Sequence, residues 1–439
     1  MAKPAGWRRR VGGRTRSQAA LLAAALFSFL LLGAGAGAGQ AQAQPGDELS
    51  VYVMTMGPGD HPFFKFGHNA IWIQDRTTKL SKVYNFGTFR FDSPRLIPDF
   101  IKGRLTYWLS VSSLDRTLAT YQHENRSVEA QELELEPAEK VALAERLEVN
   151  ARPEKRNYKY DYFLDNCSTR VRDAIDVVTG GRLRASAQGP ARLTLREQAL
   201  RLTADLPWEY LTLYLILGPT TDEPVNRWAE MFIPQELARG LRAVSLPGPS
   251  GDNHPLVRSQ EVIFRAQREP PPDYPPDLRL VWLLAGAGVG CALFSLGLAG
   301  ANWPFWRVVF SIVAALWVFA LGFIGSFLVF VWGFTDHVVA ARNENIMQLA
   351  PWALLLPIAL FGVARGQLVA ARRAFILALA AAALATVGFL LKVYPGFHQD
   401  NAPVIALLLP TWYGLALGLW STWRGLRRLP VRGRAGSRS

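Results

Sequence analysis

Cysteine is almost missing from this chain: two in 439 residues. That excludes a disulfide-stapled scaffold. Charge is thin too, at 19% Asp, Glu, Lys and Arg against roughly 25% in soluble domains, and half the residues are hydrophobic, which excludes a disordered chain. The six histidines are scattered, with no His-x-x-x-His and no Cys-x-x-Cys, so no metal-ligand spacing is present and no metal or other cofactor is expected. A Gly-x-x-x-x-Gly-Lys-Ser/Thr loop and a Gly-x-Ser-x-Gly elbow are also lacking, which argues against nucleotide-phosphate and serine-hydrolase chemistry.

What is present is positive charge, +13 in all. Its distribution decides its meaning. Residues 1–44 hold six basic and no acidic residues, residues 45–278 hold 29 against 32, and residues 279–439 hold 13 against three. The large middle segment is therefore slightly acidic, which excludes nucleic acid as its partner. The excess lies in the two segments that are otherwise apolar.

The first of these, residues 1–43, reads as a signal peptide. Lys3, Arg8, Arg9, Arg10, Arg14 and Arg16 precede an apolar run from about Ala19 to Ala38, then Ala41-Gln42-Ala43. The run is also long enough for an uncleaved anchor. In the second, five apolar runs follow one another: Leu280–Ala299, Val308–Phe334, Leu349–Val363, Phe375–Leu391 and Val404–Trp420. They predict five membrane-spanning helices in residues 279–423 and a basic tail in 424–439. If the middle segment is exported, the loops and tail left inside carry ten basic residues and the outside loops carry Arg342 and Lys392. That asymmetry fits the positive-inside rule and places the C-terminus in the cytoplasm. The expected arrangement is a multi-pass membrane protein with residues 44–267 exported. Residues 268–278, rich in proline, read as a semi-rigid linker to the bilayer.

The exported segment reads as α+β, strands first and helices after. Leu49–Met56, Gly67–Gln74, Lys82–Phe91 and Arg104–Ser112 alternate as strands, with a hairpin turn at residues 75–79. Pro137–Val149, Asn166–Val178 and Arg192–Leu202 show helical periodicity.

The two cysteines cannot pair, because Cys291 lies in the first membrane run. Cys167 is then a lone thiol in an oxidising compartment, which marks it for reactivity or for an intermolecular bridge. It sits in Tyr160-Asp-Tyr-Phe-Leu-Asp-Asn-Cys-Ser-Thr-Arg-Val-Arg-Asp173. Asp165 or Asn166 can cap a helix that opens at Cys167, and a helix N-terminus favours a thiolate and can hold an oxyanion. A buried structural Cys is the bland alternative. A thiol nucleophile needs a base, and His68 is the best placed, in Phe66-Gly-His-Asn-Ala-Ile-Trp-Ile73. A His opening a strand and a Cys opening a helix form the papain-type arrangement. His61 lies in a turn suited to a substrate loop; His123 and His254 lie in polar stretches. Asn85, on the strand expected beside that of His68, is the candidate for orienting the ring. Substrate contacts are expected from Asn69, Tyr162 and Asn166 near these positions. The outside loop adds Asp336, His337, Asn343 and Asn345, which can hold a lipid headgroup or dock the exported domain.

The motifs FGHNAIWI, YNFGTF and YDYFLDNCSTRVRD together resemble the exported domain of Lnb-type bacterial lipoprotein N-acyltransferases. The resemblance covers about residues 48–230 and extends through Trp332–His337 and Asn343–Asn345. The His-before-Cys order is similar to the circularly permuted NlpC-like papain folds, a group that includes lecithin:retinol acyltransferase. The resemblance implies a permuted papain-like domain ahead of a five-helix membrane bundle. It also implies acyl transfer from a phospholipid donor, through a Cys167 thioester with His68 as base, to the α-amino group of a diacylated lipoprotein cysteine, with the bilayer as the place of work. A membrane-anchored cysteine peptidase or amidase shares the thiol chemistry and differs in its acceptor. A non-enzymatic receptor would leave the thiol idle.

Overall fold

The computed structural model describes residues 44–90, 92–247 and 253–428. The proposed signal peptide, residue 91 and most of the basic tail lie outside the described residues.

The exported half is built on a seven-stranded antiparallel sheet. Its strands are β1 (Leu49–Met56), β2 (His68–Asp75), β3 (Ser81–Thr88), β4 (Thr106–Ser112), β5 (Val128–Leu133), β6 (Asn157–Lys159) and β9 (Val257–Phe264), in the order β6-β4-β3-β2-β1-β5-β9. A separate ribbon pairs β7 (Ser245–Pro247) with β8 (Asn253–Pro255). Local chemistry sets the hairpin registers. Asp75 Oδ1 accepts from the N–H groups of Thr77 and Thr78 at 2.8 and 3.0 Å, which closes the β2–β3 turn. Gly67 enters β2 at φ +79°, where a Cβ would fall 2.7 Å from Met56 O.

The helices of this half are α1 (Leu96–Ile101), α2 (Leu114–His123), α3 (Pro137–Ala151), α4 (Cys167–Val178), α5 (Arg182–Ser186), α6 (Leu195–Leu202), α7 (Pro207–Ile216), α8 (Arg227–Glu230) and α9 (Pro234–Arg242). Strand alternation sorts the core into two layers. Val51, Val53, Ile71, Ile73, Tyr84 and Phe86 face α3, α4 and α9, where Leu143, Leu147, Val171, Ile175, Leu237 and Leu241 cover them. Met54, Met56, Ala70 and Val83 face the other way, toward Leu114, Leu118 and Tyr121 of α2. Each such side chain, once buried, contributes about 1.5–3 kcal/mol.

The strands-first reading needs one correction. β9 returns after α9 to pair with β5. Its mostly exposed pattern hides it, because an edge strand with one solvated face shows little apolar alternation. The proline-rich segment is bonded to the exported domain. Arg192 and Arg201 donate to the carbonyls of Asp273 and Pro272, and Tyr210 Oη donates to Pro276 O at 3.1 Å. It therefore lies along the domain.

The membrane half contains α10 (Arg279–Asn302), α11 (Pro304–Phe334), α12 (Ile346–Leu349), α13 (Leu356–Ala364), α14 (Leu368–Leu390) and α15 (Ala402–Arg428). Five spans result, the third being α12 and α13 joined through a break at Ala350, φ +44°. α10 and α15 pack through small residues: a Cβ at Gly297 would lie 2.4 Å from Gly418, and one at Gly414 would lie 2.1 Å from Gly290 O. Backbones that close are how apolar helices gain contact in lipid.

Candidate active site

Cys167 is the first residue of α4, and its place is fixed by its neighbours. Asn166 caps the helix, its Oδ1 accepting from Thr169 N at 2.9 Å while Thr169 Oγ1 accepts from Asn166 N at 2.8 Å. Asn166 Nδ2 donates to Tyr162 O and Phe232 O at 2.7 and 3.0 Å, and Ser168 Oγ donates to Met231 O at 2.7 Å. The helix start is thereby pinned to the turn before α9. Asp165, the other capping candidate, instead makes a bidentate pair with Arg170.

His68 is the first residue of β2, and Asn85 lies on the adjacent β3. The Asn85 side chain favours the charged form of the His68 ring. Asn85 Nδ2 donates to Ser112 Oγ at 3.2 Å, and Ser112 Oγ meets Thr117 Oγ1 at 2.7 Å. A row from β3 to α2 thus holds Asn85. The ring stacks beside Tyr121 at 6.3 Å between centroids.

The sulfur comes to the same end of the sheet. The β2–β3 register begins only at Ile71–Tyr84, so β2 is unpaired with β3 at its start. There the backbone N–H of Asn69, the residue after His68, favours the charged form of the Cys167 thiol, as do those of Ser168 and Cys167 itself. Arg126, which is buried, acts on both groups. Its guanidinium lies 4.7 Å from the Tyr121 ring and 5.0 Å from that of Phe64. Gly87 completes the setting. Its φ of +86° suits glycine, and a Cβ there would sit 3.4 Å from Cys167 Cβ.

The electrostatics correct one expectation. Burial pushes the thiol up, and the Asn69 and Ser168 N–H groups and the Arg126 cation offset this only in part. Burial, reinforced by Arg126, pushes His68 down to about 3 against the effect of Asn85. The resting pair is therefore a neutral thiol and a neutral imidazole, not a thiolate made by the helix dipole. Desolvation outweighs the helix N-terminus here.

Four polar atoms in and around this site are buried without a hydrogen-bond partner: Asn69 Oδ1, Tyr158 Oη, Tyr162 Oη and Glu209 Oε2. Asn69 Nδ2 is used by Met54 O and Thr55 Oγ1. Tyr162 is raised well above its usual range by burial, then by Glu209 and Cys167. Glu209 on α7 is itself pushed up to about 7, by burial first, with Asp205 adding and Lys65 opposing. Arg126, Tyr121, Gly87 and Glu209 escaped the sequence reading. Gly87 had a signal, the Gly of YNFGTF; the other three are ordinary residues in polar or apolar stretches.

The remaining substrate candidates are bonded otherwise. Asn166 has no free donor or acceptor left, because capping and pinning use its whole amide. Asn343 Nδ2 donates to Leu215 O and Ile216 O, Asn345 Nδ2 donates to Tyr214 O and Leu215 O, and Gln399 Nε2 donates to Leu217 O. These cap the carbonyl end of α7 from the membrane half. Asp336 is ion-paired with Arg104 and Lys159, at 3.0 and 2.9 Å, and His337 Nε2 meets Phe100 O at 2.9 Å. In the structure the bonds of Asp336, His337, Asn343 and Asn345 run to the exported domain. His61 caps the short turn at Pro62–Phe64. His123 ends α2 and His254 lies in β8. Among the described residues no three His, Cys, Asp or Glu side chains are grouped as metal ligands would be.

Residues 40–199 match the family model of the Lnb N-terminal periplasmic domain. Most of the exported segment, from residue 44 to residue 199, is therefore similar to that domain. The matched stretch contains His68, Asn85 and Cys167 and stops short of α7 and the membrane half. No curated protein and no solved structure matches the chain. With five apolar helices after the matched stretch, the chain is a multi-pass membrane protein with a periplasmic domain.

Proposed function

We propose that this protein is a lipoprotein N-acyltransferase that works by thiol chemistry at the outer face of a bacterial inner membrane, with its C-terminus in the cytoplasm. The observation that carries the reading is a thiol at a capped helix N-terminus, inside the stretch that matches the Lnb N-terminal periplasmic domain, together with His68 and Asn85 on adjacent strands.

The His68 imidazole takes the Cys167 proton as the sulfur attacks the ester carbonyl of a phospholipid. The N–H groups of Asn69, Ser168 and Cys167 are the donors for the oxyanion. Collapse expels the lysophospholipid alcohol, which takes the proton back from His68, and leaves a thioester. The α-amino group of a diacylated lipoprotein cysteine then attacks that thioester, the amide forms, and the thiolate leaves and recovers a proton through His68. The neutral resting pair suits this order, since charge develops only when a carbonyl is present to receive it. Asn69 Oδ1 and Tyr162 Oη are the polar atoms left for substrate.

The test is Cys167→Ala in cells lacking other N-acylation, with lipoprotein N-termini read by mass spectrometry. Loss of the amide-linked chain is expected. Unchanged triacylation would overturn the assignment, and release of cell-wall peptides by the purified protein without lipid would favour the peptidase instead.

A further inference from the structure

An unbroken row of aromatic rings links the thiol to the outer end of a membrane helix. Tyr160 lies 3.9 Å from the Cβ position of Gly87, which itself lies 3.4 Å from Cys167 Cβ. Tyr160 stacks on Tyr107 at 4.0 Å, and Tyr107 meets Phe89 at 4.8 Å. Phe89 meets Phe63 at 5.7 Å, Phe63 meets Phe100 at 6.2 Å, and Phe100 meets His337 at 6.4 Å. His337 comes three residues after Phe334, the last residue of α11.

The row changes character along its length. Tyr107 is buried, whereas Phe63 and Phe100 are 44% and 50% exposed, and Ile97 beside them on α1 is 70% exposed. Phe334 and Val338, on the membrane side of the same junction, are also exposed. Arg95 and Lys102 flank α1 on the surface. A short helix with Ile97 and Phe100 exposed, flanked by Lys102 and by Arg95, which pairs with Asp99 of the helix, and tied to the end of a membrane span, suits the headgroup boundary. A soluble face would not leave such side chains in water.

We propose that this row is the seat of a fatty acyl chain, which leaves a membrane phospholipid at Phe100 and Ile97 and runs along Phe63, Phe89 and Tyr107 to Cys167. The proposal rests on the acyl-transfer reading above. The chemistry of the row supports it: the lining is rings and methylenes, its polar atoms are at the ends, and Gly87 keeps the space over the thiol open.

The test uses the full-length protein in nanodiscs of phosphatidylethanolamine and phosphatidylglycerol doped with a phospholipid bearing a diazirine in one acyl chain. After irradiation, adducts are mapped by mass spectrometry. They are expected in residues 61–64 and 96–101 and on Phe89 and Tyr107, and they should persist in Cys167→Ala, which cannot form a thioester. Phe63→Asp with Phe100→Asp should lower adducts on Phe89 and Tyr107 by about tenfold, while Phe100→Leu should retain them. Adducts confined to the membrane helices, or unchanged by the Asp pair, would overturn the row. The thioester on wild-type Cys167 is measured separately: adducts without it keep the row and sink the acyl-transfer reading, and a thioester without adducts does the reverse.

Discussion

Two of the buried polar regions in this molecule are bonded in opposite ways. Where the membrane loops meet α7, Asn343, Glu344, Asn345 and Gln399 use every side-chain oxygen and amide nitrogen, and Glu344 pairs with Lys392. Asn401, their neighbour, is the exception, with its oxygen unpartnered. Around Cys167 the pattern reverses. Asn69, Tyr158, Tyr162 and Glu209 each keep a buried atom without a partner, and His68 and Glu209 are far from their ordinary pKa values. A saturated cluster holds two domains together. An unsaturated one has bonding capacity left for something that arrives later.

The largest expected break in this contrast is at the unsaturated end. His68→Asn should lower acyl transfer by about 10²–10⁴-fold, measured as thioester formation at neutral pH. Its effect on stability has the opposite sign in acid. The ring stays neutral to about pH 3 when folded and protonates near 6.5 when unfolded. Stability tied to it is therefore complete above pH 6.5 and lost as pH falls toward 3. The variant should denature less readily than wild type at pH 4.5, and equal acid sensitivity of the two proteins would count against a buried neutral ring.

Next comes the saturated end. Asn345→Ala leaves Tyr214 O and the Asn401 amide short of a donor or acceptor, for a loss of about 3 kcal/mol. Thermal unfolding in detergent should drop and separate into two steps as the halves part. A single unchanged transition would show that apolar contacts alone hold the junction.

The smallest effect sharpens the comparison by pH. Glu209 has a folded pKa of about 7 against 4.5 when unfolded. The stability it supports is complete below pH 4.5 and is lost as pH rises through 7. Glu209→Gln should match wild type at pH 4.5 and melt a few degrees higher at pH 8. No difference at pH 8 would mean that water reaches the carboxylate.

The sequence exposes what depends on periodicity and loses what depends on tertiary neighbours. The strands around Val51–Val53 and Ile71–Ile73, the helix opening at Cys167 and the five spans all follow from local pattern. The cap by Asn166, by contrast, looks the same in sequence as a substrate contact. Asn343 and Asn345 read equally well as headgroup ligands or as docking groups, because the α7 carbonyls they bond lie more than a hundred residues away. Thiol ionisation was misjudged for the same reason: a helix N-terminus is visible in sequence, and the burial that outweighs it is not.

The proline-rich segment has a thermodynamic consequence. Because Asp273, Pro272 and Pro276 are bonded back to the domain, the first membrane span begins with almost no slack. Docking of the two halves is then an intramolecular event with its loop-closure entropy already lost in the covalent chain. The effective concentration of one half at the other reaches the millimolar range or above for a linker this short. A junction too weak to survive between separate molecules is sufficient here, and proteolysis at the prolines would turn a permanent contact into a concentration-dependent one.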